Sequence, residues 1–264
     1  AVMGARSMQS QRDRRFTIML TPFMSCGAKV PIYALFTRAF FPEQGVLVMC
    51  CLYLGGMLMA VLSALVLKKT VFHGDAAPFI MELPSYRLPT PGNVWRTLWD
   101  KAKDFLQRAF TIILAATVVV WFLQSYTFSL TQAVNLEESM MGVIGSFLAP
   151  FFRPLGFGSV APATAVLTGV IAKESVVSTL SVLSGVDPTS DAMLAALHGI
   201  FPSTLSAVSF LTFVLLYMPC VAAYAAMRRE MEGKHVALAS VAAQTALAWV
   251  TALAVYQVGS LFIF

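Results

Sequence analysis

Long apolar stretches alternate with short polar ones along most of the chain. Four of them contain no Asp, Glu, Lys or Arg: residues 46–67, 109–126, 205–227 and 236–264. A helix needs about 20 apolar residues to cross the roughly 30 Å hydrocarbon core of a bilayer. The pattern therefore predicts four membrane-spanning helices at these positions.

Three further apolar stretches are interrupted or short. Two carry charges within them: residues 16–41 hold Lys29 and Arg38, and residues 160–184 hold Lys173 and Glu174. A third, residues 141–152, is short enough to be either a brief crossing or a re-entrant segment. The pattern predicts six or seven crossings in all.

Composition agrees with a membrane protein. Of the 264 residues, 58% are hydrophobic and only 12% are charged, whereas a soluble domain has about 25% charged residues. Mean hydropathy is +0.76. The sequence therefore predicts an all-α, polytopic transmembrane helical bundle, with the lipid bilayer as its surroundings.

The distribution of basic residues predicts an orientation, because Lys and Arg in short loops mark the cytoplasmic side. They precede the first, third and last predicted spans and follow the second, whereas acidic residues occupy the loops between. If residues 141–152 cross, the chain has seven crossings, with the amino terminus inside and Phe264 outside. If that segment is re-entrant, the alternation holds only when residues 160–184 also turn back.

The segment between the second and third spans contains two different parts. Residues 73–93 are rich in proline, which predicts a loop or extended linker. From Asn93 to Arg108 the apolar residues recur on one side at helical spacing, with Trp95 and Trp99 suited to the headgroup level. This pattern predicts an interfacial amphipathic helix on the cytoplasmic leaflet. The alternative is a cytosolic helix packed on the rest of the protein.

Motifs of soluble enzymes and of nucleic-acid binding are missing from the sequence. It contains no phosphate-binding G-x-x-x-x-G-K-[ST], no G-x-G-x-x-G and no H-E-x-x-H. Basic residues are scattered, so no nucleic-acid partner is expected. The four cysteines have neither zinc-ligand nor disulfide-framework spacing. The opening "AVMGARSMQSQRDRR" does not fit a signal peptide and starts as if cut from a longer chain.

Prolines interrupt two of the apolar spans. Pro22 and Pro31 bracket "FMSCGAKV", which places Cys26 about halfway along the first span, and Pro219 directly precedes Cys220 in a later one. Proline removes a helical hydrogen bond, and within lipid such a break is tolerated only where it is buried in protein or lines a water-filled cavity. Corresponding proline-interrupted segments in two halves of a chain indicate a transporter binding site.

Potential metal ligands lie at or near these breaks. Cys26 and Cys220 are flanked by Met24 and Met218, and Glu174 is an acidic residue within an apolar stretch. Thiolate, thioether and carboxylate together suit a borderline transition metal such as Fe(II). The alternatives are that each cysteine is a small buried hydrophobic residue, and that Glu174 is a structural partner of a lysine or a backbone donor.

The amino-acid sequences of several segments resemble those of the bacterial ferrous iron transport protein B (FeoB) family. "TPFMSCGAKVPIYALF" is similar to its Gate region, "ELPSYRLPTPGNVWRTLWDKAKDFLQRAFTIILA" to its linker and next span, and "LTGVIAKESVVSTLSVL" and "LSAVSFLTFVLLYMPCVAAYAAMRRE" to later membrane blocks. The order of these segments also agrees. Lys29 stands where relatives often have arginine.

The resemblance implies a multi-pass inner-membrane protein that moves Fe(II) into the bacterial cytoplasm, with no permanently bound cofactor. It implies three parts: residues 1–72 as the end of a first Gate-type block, 73–108 as linker and interfacial helix, and 109–264 as a second Gate-type block. Cys26 and Cys220 of the two Gate motifs and Glu174 of the "AKE" block are then expected to line the path.

The same resemblance implies partners that the chain itself lacks. The family carries an amino-terminal GTPase domain and further spans, so GTP is expected to act only through that missing domain. Small cytoplasmic Feo proteins and further copies of the chain are expected partners. Two other functions stay open: a non-conducting scaffold that docks a separate GTPase, and a Gate-type nucleoside carrier. The chain alone is not expected to be an enzyme.

Overall fold

The computed structural model describes residues 2–8, 10–70, 90–129, 131–133, 138–231 and 234–262. Within these ranges it contains helices and no β-strand, which confirms the predicted all-α class. The α-helices, in chain order, are α1 (Gln11–Leu20), α2 (Val30–Phe40), α3 (Gly45–Thr70), α4 (Pro91–Ser125), α5 (Met140–Phe152), α6 (Val160–Ile171), α7 (Ser175–Ser184), α8 (Asp191–Ile200), α9 (Thr204–Leu216), α10 (Val221–Glu230) and α11 (Lys234–Phe262).

Several helical stretches are long and apolar enough to cross a membrane. In the described part of the chain these are Gln11–Phe40, Gly45–Thr70, Thr204–Glu230 and His235–Phe262. They coincide with four of the predicted spans, and α4 covers the predicted span 109–126. The chain is therefore a multi-pass membrane protein.

Helix α3 has exposed side chains around most of its circumference. Leu47, Leu54 and Val61 are each more than half exposed, and Gly56 is its one buried residue among those described. A helix that is apolar on every side and yet unburied needs lipid or a neighbouring apolar surface to cover it. The outer face of α3 thus suits contact with lipid or with another apolar protein surface.

Helix α4 differs from the prediction. The expected interfacial helix 93–108 is not a separate element, because α4 runs without interruption from Pro91 to Ser125. It begins after Thr90 rather than at Asn93, with Pro91 in its first turn, where a missing N–H costs nothing. Residues 90–103 are exposed, so this part does not pack on the other residues that the structure describes. The predicted linker before it, residues 73–89, lies outside the described residues.

The two predicted crossings before α8 also take another form. Residues 160–184 are not one span, since α6 ends at Ile171 and α7 begins at Ser175. The stretches Met140–Leu155 and Val160–Ile171 meet at 106°, the geometry of a broken span or a re-entrant loop. Gly156, with φ of +84°, makes the turn between them, a conformation that suits glycine. Of the two predicted alternatives, two continuous crossings are therefore wrong, and the re-entrant arrangement agrees with the bend.

An aromatic cluster forms the centre of the bundle. Phe36 of α2 stacks on Phe210 of α9 with ring centroids 5.2 Å apart, and Phe210 meets Phe157 edge-on at 5.3 Å. Phe213 and Tyr217 continue the row along α9 at 5.3 Å. These rings are almost entirely buried. The cluster fixes the carboxyl-terminal end of α9 against the break between α1 and α2.

Candidate functional site

The first helix break separates α1 from α2. Short 3-10 turns at Thr21–Phe23 and Gly27–Lys29 flank an extended stretch that contains Cys26. Pro31 lies in the first turn of α2, where proline fits without losing a helical hydrogen bond. The break predicted between Pro22 and Pro31 is confirmed. It leaves Cys26 exposed and Met24 51% exposed.

The second break separates α9 from α10. Helix α9 ends at Leu216, and α10 begins at Val221, directly after Pro219 and Cys220. Proline has no N–H, so the carbonyl four residues earlier, that of Leu215, loses its helical donor. The predicted break at Pro219 is confirmed. Cys220 and Met218 are half-buried there.

A third break, between α6 and α7, has no proline. Ala172 is extended, and the chain turns through Lys173 and Glu174 before α7 starts at Ser175. Glu174 is exposed. Its predicted place within an apolar stretch is therefore a helix break rather than the face of a continuous helix.

Three of the five predicted ligands occupy N-cap positions in these breaks. Cys26, Glu174 and Cys220 are each the N-cap residue of the helical segment that follows. None of the three side chains accepts the usual capping hydrogen bond from the backbone. Their sulfur and oxygen atoms are thus not used for capping, and the N-termini of α7 and α10 beside Glu174 and Cys220 favour negative charge.

Lys29 joins the first break to the second. Its side chain is 1% exposed, and Nζ donates to the Leu215 carbonyl oxygen at 2.7 Å. Nζ also lies 3.4 Å from the Met24 carbonyl oxygen and 3.5 Å from that of Pro22. The lysine therefore supplies the donor that Pro219 removes from Leu215.

Lys173 joins the third break to the second. It is 3% exposed, and Nζ lies 3.5 Å from the Tyr217 carbonyl oxygen and 4.3 Å from the centre of the Tyr217 ring. A cation over an aromatic face is attracted by the ring. Both lysines thus bind the last turn of α9, immediately before Pro219.

The Tyr217 ring is held in a tight space. A Cβ atom on Gly169 of α6 would lie 2.3 Å from the Tyr217 hydroxyl, so only glycine fits opposite it. The Tyr217 hydroxyl is buried, with no hydrogen-bond partner among the described residues. Close packing therefore fixes the aromatic platform beneath Lys173.

The structure brings the three breaks together at the end of α9. Lys29 of the first break and Lys173 of the third both contact backbone oxygens just before Pro219 of the second. Glu174 has no ion-pair or hydrogen-bond partner for its side chain among the described residues, so its alternative as a structural partner finds no support there. No group of three His, Cys, Asp or Glu that could hold a metal ion occurs in the part of the chain that is described.

The other two cysteines lie elsewhere. Cys50 and Cys51 are exposed on α3 and are not buried hydrophobic residues. Cys50 lines an open groove of about 460 Å³ between α2 and α3, and a second groove of about 520 Å³ lies beside α5 and α6. Neither groove is lined by Cys26, Cys220 or Glu174.

Sequence reasoning missed the roles of Lys29, Lys173 and Tyr217. A lysine within an apolar stretch is costly unless its charge is compensated, and that cost is a signal visible in the sequence. The compensating carbonyl oxygens belong to a distant segment, and only the fold shows which segment that is.

Two family models match the chain. "Ferrous iron transport protein B C terminus" matches residues 49–101, and "Nucleoside recognition", the Gate model, matches residues 106–234. No solved structure matches.

Curated relatives match over nearly the whole chain. An Fe(2+) transporter FeoB of Staphylococcus aureus strain COL is 40% identical over 263 residues, covering 100% of this chain and 39% of the relative. One from Methanocaldococcus jannaschii is 35% identical over 99% of the chain and 39% of the relative. A fusion of Fe(2+) transport protein A and FeoB from Porphyromonas gingivalis is 34% identical over 99% of the chain and 36% of the relative. The chain thus spans well under half the length of these relatives.

Proposed function

Because the chain belongs to the ferrous iron transport protein B family, we propose that it forms the membrane portion of an Fe(II) uptake transporter. The observation that carries this proposal is the pair of helix breaks that leave Cys26 and Cys220 at N-cap positions with free side chains. Broken helices around an interior site are how many transporters bind their cargo near the middle of the membrane.

We assign the ion path to the breaks. The thiols of Cys26 and Cys220 are the main Fe(II) ligands, and Glu174 adds a carboxylate at the third break. Met24 and Met218 are weaker thioether ligands beside them. This mixed set suits Fe(II) better than Mg²⁺ or Ca²⁺, which prefer oxygen. Transport requires that each ligand bind weakly enough for the ion to leave.

Because the chain spans well under half the length of its relatives, we propose that the rest of the transporter belongs to a longer parent protein. A parent protein would contribute an amino-terminal GTPase domain, and GTP would act through that domain. The relative in which transport protein A is fused to FeoB supports a small cytoplasmic Feo protein as a partner. We place the assembly in the bacterial inner membrane as a homo-oligomer.

One other function has a specific observation in its favour. The Gate model that matches residues 106–234 is described as nucleoside recognition. A nucleoside site needs several convergent hydrogen-bonding side chains. At the breaks the side chains include the sulfur atoms of Cys26, Met218 and Cys220 and one carboxylate, whereas the Ser25 hydroxyl already lies within hydrogen-bond distance of the Tyr33 hydroxyl. This set favours the metal ion. A scaffold that conducts nothing remains the third candidate.

The test is Fe(II) uptake into proteoliposomes that contain the complete parent protein. Cys26→Ser and Glu174→Gln should reduce uptake severely while membrane insertion stays intact. Cys51→Ser is the matched control, since Cys51 is exposed on α3 and does not line the groove between α2 and α3. Normal uptake in both ligand variants contradicts the ligand assignment, and no uptake by the wild-type parent supports the scaffold. Competition by Mn(II), Zn(II) and a nucleoside then identifies the cargo.

A further inference from the structure

Two lysines are buried in the bundle without acidic partners. Lys29 and Lys173 are 1% and 3% exposed, and neither forms an ion pair with Asp or Glu in the described ranges. A buried ammonium group is strongly unfavourable unless other groups compensate its charge. The groups that compensate these charges therefore indicate which kind of ion this part of the fold can bind.

Backbone oxygens of the broken helices provide that compensation. An ammonium group has three donors and no acceptor, and Nζ of Lys29 faces three carbonyl oxygens, those of Pro22, Met24 and Leu215. Lys173 binds the Tyr217 carbonyl oxygen and the face of its ring. All four oxygens therefore point at a positive charge, and they belong to two different helix breaks.

Such oxygens are also what a passing metal ion needs. Rings of backbone carbonyls replace the hydration shell of cations in ion-conducting proteins. Here the same oxygens are occupied by ammonium groups that the chain itself supplies. Cys26 lies three residues before Lys29, and Cys220 lies three residues after Tyr217. The proposed thiol ligands are therefore close along the chain to the groups that hold these oxygens.

We propose that Lys29 and Lys173 are tethered cations that keep the ion path closed. Their ammonium groups occupy the carbonyl oxygens between the breaks, and a divalent ion passes only after they move away. This inference rests on the proposed function, because it requires that the breaks line an ion path. It assigns a gating role to two residues that are not themselves metal ligands.

The first test measures nucleotide-independent Mn(II) flux into proteoliposomes that contain the parent protein. Lys29→Met and Lys173→Met remove one tethered charge each, and flux should rise roughly tenfold or more, because removing a like charge from a narrow path raises the local cation concentration. Lys29→Arg keeps the charge and should stay near the wild-type value. Folded Met variants with wild-type flux overturn the proposal, as does a Lys29→Arg variant that leaks as much as Lys29→Met.

The second test needs no substitution and therefore does not depend on whether a variant folds. Anionic and cationic methanethiosulfonate reagents are compared at Cys26 of the wild-type parent by site-resolved mass spectrometry, and each rate is divided by the rate with free cysteine. Two nearby ammonium groups should favour the anionic reagent by about tenfold. Equal normalised rates, or a preference for the cationic reagent, overturn the proposal.

The outcomes separate this inference from the proposed function. If the wild-type parent takes up Fe(II) and the Met variants do not leak, only the gating role fails. If the wild-type parent takes up no Fe(II), the proposed function fails first, and the gating role fails with it.

Discussion

The ammonium nitrogen of Lys29 lies 2.7 Å from the carbonyl oxygen of Leu215, although 186 residues separate the two in the sequence. That oxygen has no helical donor because Pro219, four residues later, lacks an N–H. A single side chain in the first break thus satisfies a backbone group that the second break exposes. The two breaks are therefore parts of one site rather than two independent irregularities.

Removing the hydrogen bond between Lys29 and the Leu215 carbonyl oxygen should lower the thermal stability of the protein. Lys29→Met leaves the Leu215 carbonyl buried without a donor, and such a group costs about 1–3 kcal/mol. The midpoint of thermal unfolding in detergent should fall. Lys69→Met is the matched control, because Lys69 is exposed at the end of α3 and should leave the midpoint unchanged. An equal midpoint for Lys29→Met and wild type would contradict this role of the hydrogen bond.

Restoring the missing N–H should close the second break. In Pro219→Ala the new N–H can donate to Leu215, so α9 is expected to continue towards α10. Cys220 then leaves its N-cap position, and its rate of modification by a thiol reagent should fall, together with Fe(II) uptake. Pro202→Ala, at an exposed proline before α9, serves as the control. Unchanged modification of Cys220 would mean that proline does not create the break.

The sequence predicts a helix break when the residue that causes the break lies within it. Pro219 predicts its break correctly because the loss of an N–H acts locally. Pro22 and Pro31 also mark the first break, since each lies in the first turn of the helical segment that follows, where proline is tolerated. The break at Lys173 has no local signal of that kind. At this break Tyr217, which directly follows α9, packs against Lys173 and against Gly169 of α6.

The sequence predicts where helices lie better than it predicts where a helix is interrupted. The amphipathic pattern of residues 93–108 and the apolar run that follows look like two elements, yet nothing between them interrupts the backbone hydrogen bonds of α4. Conversely, residues 160–184 form one apolar run but two helices. The continuity of α4 agrees with the absence of proline and glycine from residues 93–125. The break within residues 160–184 has no proline, and the contacts of Lys173 with Tyr217 that accompany it are absent from the local pattern.

The close packing of Tyr217 against Gly169 predicts that one added methyl group at position 169 strongly lowers the stability of the protein. In Gly169→Ala the added Cβ would lie 2.3 Å from the Tyr217 hydroxyl and 2.6 Å from a Val176 methyl carbon. Overpacking of this kind costs about 1–3 kcal/mol, and the thermal midpoint should drop accordingly. Gly55→Ala is the control: its Cβ would contact nothing within 4 Å, and alanine favours a helix. Similar midpoints for the two variants would argue against the close packing of Tyr217.

The amino-terminal half of α4 carries an exposed pair of tryptophans. Trp95 and Trp99 are 69% and 61% exposed, and their rings stack with centroids 6.5 Å apart. If this half lies at the membrane surface, brominated lipids should quench both tryptophans most strongly from positions near the headgroups. Single-tryptophan variants allow the measurement, with Trp249 of α11 as the reference within the bundle. An absence of quenching would place this half of α4 in water.

The central claim is that Cys26 and Cys220 bind one Fe(II) ion in a shared interior, and protection of their thiols measures this directly. Under anaerobic conditions, Fe(II) should slow alkylation of both cysteines in the parent protein, and Cys220→Ser should abolish the protection of Cys26. Protection of Cys26 that survives Cys220→Ser, or no protection of either thiol, would contradict the claim.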